Sequence, residues 1–341
     1  MLDNVADRAS ARTRRERVAG ERFSREALAH LIGVTGAEQA ELFARARAAR
    51  QRAGADEVKL RGVIELTNYC QKTCDYCAIR AGNKDISRYR MNEDTIMALA
   101  EGIRDSGIGT VFLQGGQDPK TDRLISAVIP RIRAELDCEV LLCMGEKPRA
   151  VYQEWAALGA TSYILKFETS SPALYDQIVR TSLAKRIDCI RWIQETGMEV
   201  GTGNIVGLPD QTREHLIDDI KLAESLEPDF LSSSPFIPNE GTPLETIHEG
   251  DVDATLNTMA IYRLMFPDAL VPTVSALEKL RGGGQLAGLQ AGANVITINF
   301  TPKDFRDKYA IYSAKNRFIV SGGHAVHIIE EAGLRVRPAH G

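Results

Sequence analysis

The chain has 341 residues, of which 44% are hydrophobic, so it is longer than a typical domain and can bury a large core. Its formal net charge of −4 gives no electrostatic case for nucleic acid as a partner, and no apolar run reaches transmembrane length, so no membrane is expected either. The N-terminal segment is rich in Arg and Ala and lacks an apolar core, so we expect no secretory signal. Six scattered cysteines favour reduced thiols and a cytoplasmic location over a disulfide framework.

The hydrophobic pattern predicts helices first and then a regular alternation of strands and helices. Residues 1–50 are predicted to form polar or amphipathic helices, with Ser24 as an N-cap. Strands are predicted over 61–68, 109–114, 139–144, 161–168, 198–206, 229–236, 270–274 and 294–299. Helices are predicted over 93–106, 121–136, 148–158, 172–195, 213–225, 252–265, 283–291 and 321–333.

Strands and helices that alternate at this spacing imply a parallel sheet with helices outside it. Eight such units imply a closed (β/α)8 barrel of TIM type, whose site lies at the C-terminal ends of the strands. We therefore predict an α/β fold with two regions. Residues 1–55 form an N-terminal helical extension, and residues 56–341 form the barrel with a C-terminal capping helix.

Three cysteines lie directly after the first predicted strand. Cys70, Cys74 and Cys77 have the spacing C-x3-C-x2-C, with the aromatic Tyr76 before the last. Three thiolates this close on one loop can bind three corners of a [4Fe-4S] cluster, and the next cysteine, Cys138, is too distant in sequence to supply a local fourth. The fourth iron then has no thiolate ligand, and this open corner of the cluster favours a site at which a substrate or cofactor binds iron. A zinc site is the alternative, but zinc usually takes four ligands in two short pairs.

This motif resembles that of the radical S-adenosylmethionine (SAM) superfamily. The resemblance implies that the amino and carboxylate groups of SAM chelate the open iron. One electron would then break a C–S bond of SAM and yield a 5′-deoxyadenosyl radical, which takes hydrogen from a substrate carbon. It also implies a small-molecule substrate and an external electron donor such as flavodoxin or ferredoxin.

Further motifs match cofactor-binding positions of the same superfamily. By resemblance, Gly115 and Gly116 hydrogen-bond the amino group of SAM, and Glu168 contacts its ribose or its amino group. Arg186 matches an arginine that binds the methionine carboxylate, a task that suits a planar guanidinium. Without the motif, the glycine pair would be a plain loop and Arg186 a residue on a helix surface. The residues expected beside adenine or elsewhere along the cofactor are Tyr76, Asn204, Val206 and Ile237.

Longer runs narrow the resemblance to one branch of the superfamily. Ile64–Asn68 and Pro235–Leu244 resemble a branch with biotin synthase, the iron–iron hydrogenase maturase of the E type and 3-methylornithine synthase. The likeness covers about residues 55–335. On an ungapped alignment, the ligands of the second biotin synthase cluster fall at Leu141, Gly201 and Pro272. Sulfur insertion is therefore not expected. The residues that recognise lysine in 3-methylornithine synthase fall at Ser232, Val274 and Ala276, so a lysine ammonium would lack its partner.

Side chains that follow the later strands are expected to line a substrate pocket. Most are small hydroxyls, and Lys166 is one of the few cations. Such a lining suits a compact polar substrate with a carboxylate that faces Lys166, although barrel packing explains each residue equally well. The predicted substrate residues are Lys166, Ser232, Ser234, Thr273, Ser275 and Asn299.

Two functions stay open. The first is a radical SAM enzyme that abstracts hydrogen from a small polar metabolite or amino acid, which is then rearranged, fragmented or coupled. The alternative is a metallocofactor maturase that acts on an iron–cysteine complex. Overall resemblance leans slightly towards the maturase, whereas the lack of any cysteine after Cys189 leans away from it. No side chain is assigned as a catalytic acid, base or radical carrier.

Overall fold

The computed structural model describes residues 18–311 and 317–339. Within them, strands β1 to β8 are Glu57–Thr67, Thr110–Gly115, Glu139–Cys143, Ser162–Ile164, Glu199–Val206, Phe230–Pro235, Val295–Asn299 and Arg335–Val336. Helices α1 to α13 are Arg25–Ile32, Gly36–Arg52, Glu93–Asp105, Asp122–Leu136, Arg149–Ala157, Pro172–Val179, Leu183–Glu195, Arg213–Leu226, Val252–Met265, Ser275–Leu280, Gly284–Gln290, Lys303–Arg306 and Gly322–Glu331. Residues 1–17 of the predicted extension lie outside the described residues.

The strands form one parallel sheet in the order β6-β5-β4-β3-β2-β1-β7, and β8 adds a short pair to β1. The segment between α9 and α10 closes the ring, because Leu270 bridges Phe230 of β6 and Pro272 bridges Val295 of β7. This arrangement confirms the predicted barrel. The strand predicted over 270–274 is present only as these bridges, since Pro272 has no N–H for a regular ladder.

Three other predicted elements differ in extent, and the first of them is β1, which begins at Glu57 and not at residue 61. The helix predicted over 172–195 is divided into α6 and α7, because Arg180 takes a left-handed φ of 61° and ends α6. The strand predicted over 161–168 keeps its regular ladder of backbone hydrogen bonds only as far as Ile164. Glu168, which also has a left-handed φ of 65°, rejoins β5 only through a single bridge to Asn204.

The interior of the barrel is filled by alternate residues of the strands. Val63, Phe112, Leu141 and Phe230 pack together there, and we call these four residues the lumen cluster. The opposite faces of the strands pack on the surrounding helices: a Cβ on Gly62 of β1 would lie 2.5 Å from Ile103 of α3.

The first two helices pack on the outside of the barrel, α1 against α8 and α9, and α2 against α9. The last helix, α13, packs against α11, β7 and β8. The division of the chain at residue 55 stays a prediction. We use "barrel mouth" for the end at which the C-terminal ends of the strands meet.

Candidate functional site

The three cysteines lie on the loop between β1 and α3, at the barrel mouth, and all three are free thiols. The backbone N–H groups of Lys72 and Gln117 donate to Cys70 Sγ at 3.4 and 3.3 Å. Burial raises the pKa of Cys74 to about 11 and also raises the pKa of Cys77. Backbone donors aimed at a sulfur are a means by which proteins stabilise a thiolate ligand.

One guanidinium fixes the path of this loop. Arg88 donates at 2.5–2.9 Å to the carbonyl oxygens of Asn68, Ile79, Arg80 and Asn83. An arginine suits this task because its planar fork carries five N–H donors. Sequence reasoning missed this role, because only the fold gathers the four carbonyls around one side chain.

Gly115 and Gly116 lie against the cysteine loop. A Cβ on Gly116 would lie 2.2 Å from the carbonyl oxygen of Tyr69 and 2.7 Å from Cys70 Cβ, and one on Gly115 would lie 2.8 Å from Thr67 Cγ2. The close approach of the two segments therefore requires glycine at both positions. Their predicted contact with the amino group of SAM stays a prediction.

Arg186 of α7 is buried, with 7% of its surface exposed, so it is not a helix-surface residue. Its Nε donates to Tyr175 Oη at 2.7 Å and lies 3.0 Å from Glu146 Oε1, while Lys72 Nζ lies 3.0 Å from Glu146 Oε2. Burial lowers the pKa of Arg186, but Tyr175, Glu146 and Glu168 together raise it by more, so the pKa is raised overall. No described residue bonds the terminal nitrogens of Arg186. They form a pair of donors that fits a carboxylate.

The side chains of Glu168 and Lys166 lie next to each other at the barrel mouth. The backbone of Glu168 is fixed in its left-handed conformation by two hydrogen bonds, from its own N–H to Gly203 O at 3.0 Å and from Ile205 N–H to its carbonyl at 2.8 Å. Such a conformation is uncommon for a residue other than glycine and marks a position that the surroundings determine. Glu168 Oε2 lies 3.4 Å from Lys166 Nζ and has no hydrogen-bond donor among the described residues. Lys166 Nζ also lies 3.4 Å from Ser234 Oγ.

Tyr76 and Ile237 are brought together by a residue that sequence reasoning missed. Asn239 Nδ2 donates to the carbonyl oxygens of Tyr76 at 2.8 Å and of Ile237 at 3.1 Å. Val206 is buried at the end of β5 and accepts a hydrogen bond from Phe236 N–H. The apolar side chains around Tyr76 are those of Leu174, Ile178, Ile205, Leu208 and Phe236. These side chains form an apolar wall beside the cysteine loop, and the contact of Tyr76, Val206 and Ile237 with the cofactor stays a prediction.

The side chain of Asn204 is turned away from the barrel interior. It donates to Asp219 Oδ2 at 3.0 Å and accepts from Tyr262 Oη at 3.4 Å. Asp219 also accepts from the N–H and the hydroxyl of Ser170, at 2.6 and 2.7 Å, and burial raises its pKa to about 6. The backbone of Asn204 is thus the part that can face a cofactor, while its amide helps to fix the segment that carries Glu168.

The structure brings most, but not all, of the predicted substrate residues to the inner face. Ser232 and Ser234 alternate with Phe230 of the lumen cluster, and Asn299 pairs in register with Val63. Thr273 is different. Its hydroxyl donates to the carbonyl oxygen of Gln285 on α11 at 2.8 Å, so it points outside the barrel and not into the pocket. Ser275 is the first residue of α10.

A separate cavity of about 1150 Å³ opens at the opposite end of the barrel. Lys59, Thr110, Glu139 and Glu199 are among its lining residues, and none of the predicted site residues is. Because barrel enzymes carry their sites at the C-terminal ends of the strands, we place the candidate site at the barrel mouth.

Within residues 18–311 and 317–339, no group of three His, Cys, Asp or Glu side chains is arranged to hold a single metal ion. In a cubane cluster each thiolate binds a separate iron, and three free thiols on one loop fit that donor set. In the described part of the chain, no helix combines the length and apolarity needed to cross a membrane.

Comparisons with known proteins decide the family. Residues 64–223 match the model of the Radical SAM superfamily, and residues 233–324 match the Biotin and Thiamin Synthesis associated domain. The chain is 36% identical over 304 residues to the [FeFe] hydrogenase maturase subunit HydE of Thermotoga maritima, covering 88% of this chain and 87% of that protein. The chain belongs to the radical SAM superfamily. It is therefore an enzyme of a superfamily that uses a [4Fe-4S] cluster and SAM, as predicted.

Other relatives of this radical SAM chain confirm the predicted branch. It is 28% identical to 3-methylornithine synthase of Methanosarcina acetivorans, covering 84% of this chain and 82% of that protein. It is 26% identical to biotin synthase of Carboxydothermus hydrogenoformans, covering 79% of this chain and 85% of that protein. A crystal structure of methylornithine synthase (PylB) matches with a TM-score of 0.80 and 23% identity, over 94% of this chain and 96% of that one, and supports the fold.

Proposed function

We propose that this radical SAM enzyme acts on a compact polar substrate with a carboxylate, such as a free amino acid. Hydrogen is abstracted from that substrate, and its carbon skeleton is then rearranged, fragmented or coupled. Lys166 carries the proposal, because its ammonium lies 3.4 Å from Glu168 Oε2 and 3.4 Å from Ser234 Oγ at the barrel mouth. Its side chain is only 18% exposed. A substrate carboxylate would add a charge-assisted partner where water is scarce.

The residues of the mouth also support an assignment of cofactor contacts. Cys70, Cys74 and Cys77 hold three irons of the cluster, and the terminal nitrogens of Arg186 pair with the carboxylate of SAM. When bound, the cluster and SAM supply one-electron, hydrogen-abstracting chemistry. Tyr76 and the apolar wall beside it cover the adenine and keep water out. The electron comes from an external donor of the flavodoxin or ferredoxin class.

We also infer a cytoplasmic location. All six cysteines are free, and an open iron–sulfur cluster requires a reducing compartment.

The test is an anaerobic screen of single amino acids. Reconstituted enzyme with dithionite and SAM is assayed for 5′-deoxyadenosine with each amino acid and with the amine that lacks its carboxylate. We expect one amino acid to accelerate formation of 5′-deoxyadenosine and its amine to have no such effect. Deuterium transferred from the labelled amino acid would locate the attacked carbon. Equal acceleration by an amine and its parent amino acid would overturn the role of Lys166.

A maturase acting on an iron–cysteine complex is the second candidate. The observation that favours it is the 36% identity to the HydE maturase subunit over 88% of this chain. Such a complex also carries an amino-acid carboxylate, so Lys166 fits it as well. Acceleration by ferrous iron with cysteine, and by no free amino acid, would favour this candidate over the first.

A further inference from the structure

Cys143 is the last residue of β3 and lies on the inner face of the barrel. It packs against the lumen cluster yet remains partly exposed, so it borders space at the barrel mouth. In register, Cys143 pairs with Gln114 of β2, and Gln114 pairs with Glu65 of β1. Because paired residues of parallel strands point to the same face, these three side chains share one level of the interior.

Cys143 differs from the other two cysteines outside the loop. The thiol of Cys138 lies 3.5 Å from Leu136 O, and the thiol of Cys189 lies 4.0 Å from Lys147 O, so each has a backbone acceptor. Across the described ranges, no residue accepts a hydrogen bond from Cys143. Cys138 and Cys189 are buried packing residues, whereas the S–H group of Cys143 has no hydrogen-bond acceptor in the described part of the chain.

The thiol of Cys143 lies among the charges of the candidate site. Burial raises its pKa to about 12, Glu168 raises it too, and Arg186 and Lys166 oppose the shift. The sulfur therefore keeps its hydrogen at neutral pH. It also stands close to the residues proposed to contact the cofactor, Arg186 and Glu168, and to Lys166, proposed to contact the substrate.

A second observation points to a ligand at the level of Cys143. Glu65 is completely buried, and its Oε1 pairs with Arg317, but its Oε2 has no hydrogen-bond donor among the described residues. On the neighbouring strand β7, Asn299 pairs with Val63, one inward-facing position before Glu65, and its Nδ2 has no acceptor within the same residues. Buried polar atoms are rarely left unpaired, so these two atoms indicate that a polar ligand completes the interior here.

We propose that Cys143 donates a hydrogen atom to a carbon-centred radical at the barrel mouth, an inference that rests on the proposed function. In this step the S–H bond of Cys143 breaks, a C–H bond forms on the radical carbon, and a thiyl radical remains. The transfer is favourable because an S–H bond is weaker than an alkyl C–H bond. One electron from the flavodoxin- or ferredoxin-class donor and one proton from water restore the thiol.

This step has a consequence for the whole reaction. The hydrogen returned to the product comes from a thiol that exchanges with solvent, and not from 5′-deoxyadenosine. SAM is then consumed in each turnover and is not regenerated.

The test needs no substrate. Reconstituted enzyme is equilibrated in D2O, reduced with dithionite without any added thiol, and given SAM, and the deuterium content of the 5′-deoxyadenosine is measured by mass spectrometry. A thiol is the solvent-exchangeable group at the mouth from which a carbon radical readily takes hydrogen. The wild type should therefore form 5′-deoxyadenosine with one solvent deuterium, and Cys143→Ser and Cys143→Ala should lose this label. Cys138→Ser and Cys189→Ser are matched controls that should keep it.

The isotope content is read from whatever product forms, so it does not depend on the rate. Iron content and the change in the electron paramagnetic resonance signal on addition of SAM verify that each variant keeps its cluster site. Unlabelled product from the wild type, or an unchanged label in both Cys143 variants, would overturn the inference. Absence of any 5′-deoxyadenosine would instead overturn the proposed function, and this inference with it.

Discussion

Replacing Arg186 by lysine separates the binding of the cofactor from the integrity of the fold. Arg186→Ala would leave the buried carboxylate of Glu146 with Lys72 as its remaining cation, and breaking a buried pair costs about 3–5 kcal/mol. Arg186→Lys keeps the charge beside Glu146. It removes the planar pair of terminal nitrogens that no described residue uses.

The size of the effect follows from the contacts. A lysine ammonium that stays with Glu146 gives up at least one charge-assisted hydrogen bond to the carboxylate of SAM, and such a bond contributes about 1.5–3 kcal/mol. We therefore expect the Kd for SAM to rise roughly 10- to 150-fold in Arg186→Lys.

The assay is equilibrium binding of SAM to anaerobically reconstituted protein by calorimetry, with iron and sulfide content measured on the same samples. Arg149→Lys is the matched control, because Arg149 pairs with Glu195 on the surface and both side chains are about half exposed. Surface pairs contribute little, so the control should bind as the wild type does. If Arg186→Lys binds SAM as tightly as Arg149→Lys, then Arg186 does not contact the carboxylate of SAM.

Three further predictions concern substrate, loop and stability. Lys166→Met should raise KM for an accelerating amino acid at least about tenfold, because it removes a charge-assisted hydrogen bond to the substrate carboxylate. Lys166→Arg should bring KM most of the way back to the wild-type value. Equal KM values in the two variants would contradict the pairing of Lys166 with the carboxylate. Arg88→Lys should lower the iron retained after reconstitution without changing the helical circular dichroism, because an ammonium cannot reach four carbonyls. Asp219 has its folded-state pKa raised from 3.8 to about 6, so the native state binds its proton more tightly. As pH rises from below 3.8 to above 6, the free energy of unfolding of the wild type should therefore fall by about 3 kcal/mol relative to that of Asp219→Asn. Urea titrations of both proteins at several pH values measure this difference. The absence of a difference would contradict the burial argument.

Much of the fold follows from local patterns in the sequence. Alternating strands and helices with short connections leave few options besides a parallel barrel, and the cysteine spacing locates the mouth. Two of the errors fall where the backbone leaves ordinary conformations, and a third falls at Pro272. Arg180 and Glu168 both adopt left-handed φ angles, which hydrophobic periodicity does not reveal.

The candidate site was predictable only where motifs mark it. Arg88, Asn239 and Asp219 have no motif that marks their roles, because each acts through partners that only the folded backbone brings around one side chain. Thr273 shows the opposite error: a hydroxyl near a strand end suggested a pocket residue, but alternation of faces turns it towards α11. Strand register decides such cases, and a sequence alone does not give it.

The most direct test of the account is cleavage of SAM by the wild type and by single cysteine variants. Anaerobic, reconstituted protein is reduced with dithionite, and iron content and 5′-deoxyadenosine are measured for the wild type, Cys70→Ala, Cys74→Ala and Cys77→Ala, with Cys138→Ala as the control. We expect cluster and 5′-deoxyadenosine in the wild type and the control, and neither in the three loop variants. Full cleavage with any one loop cysteine removed, or none in a wild type with an intact cluster, would contradict the account.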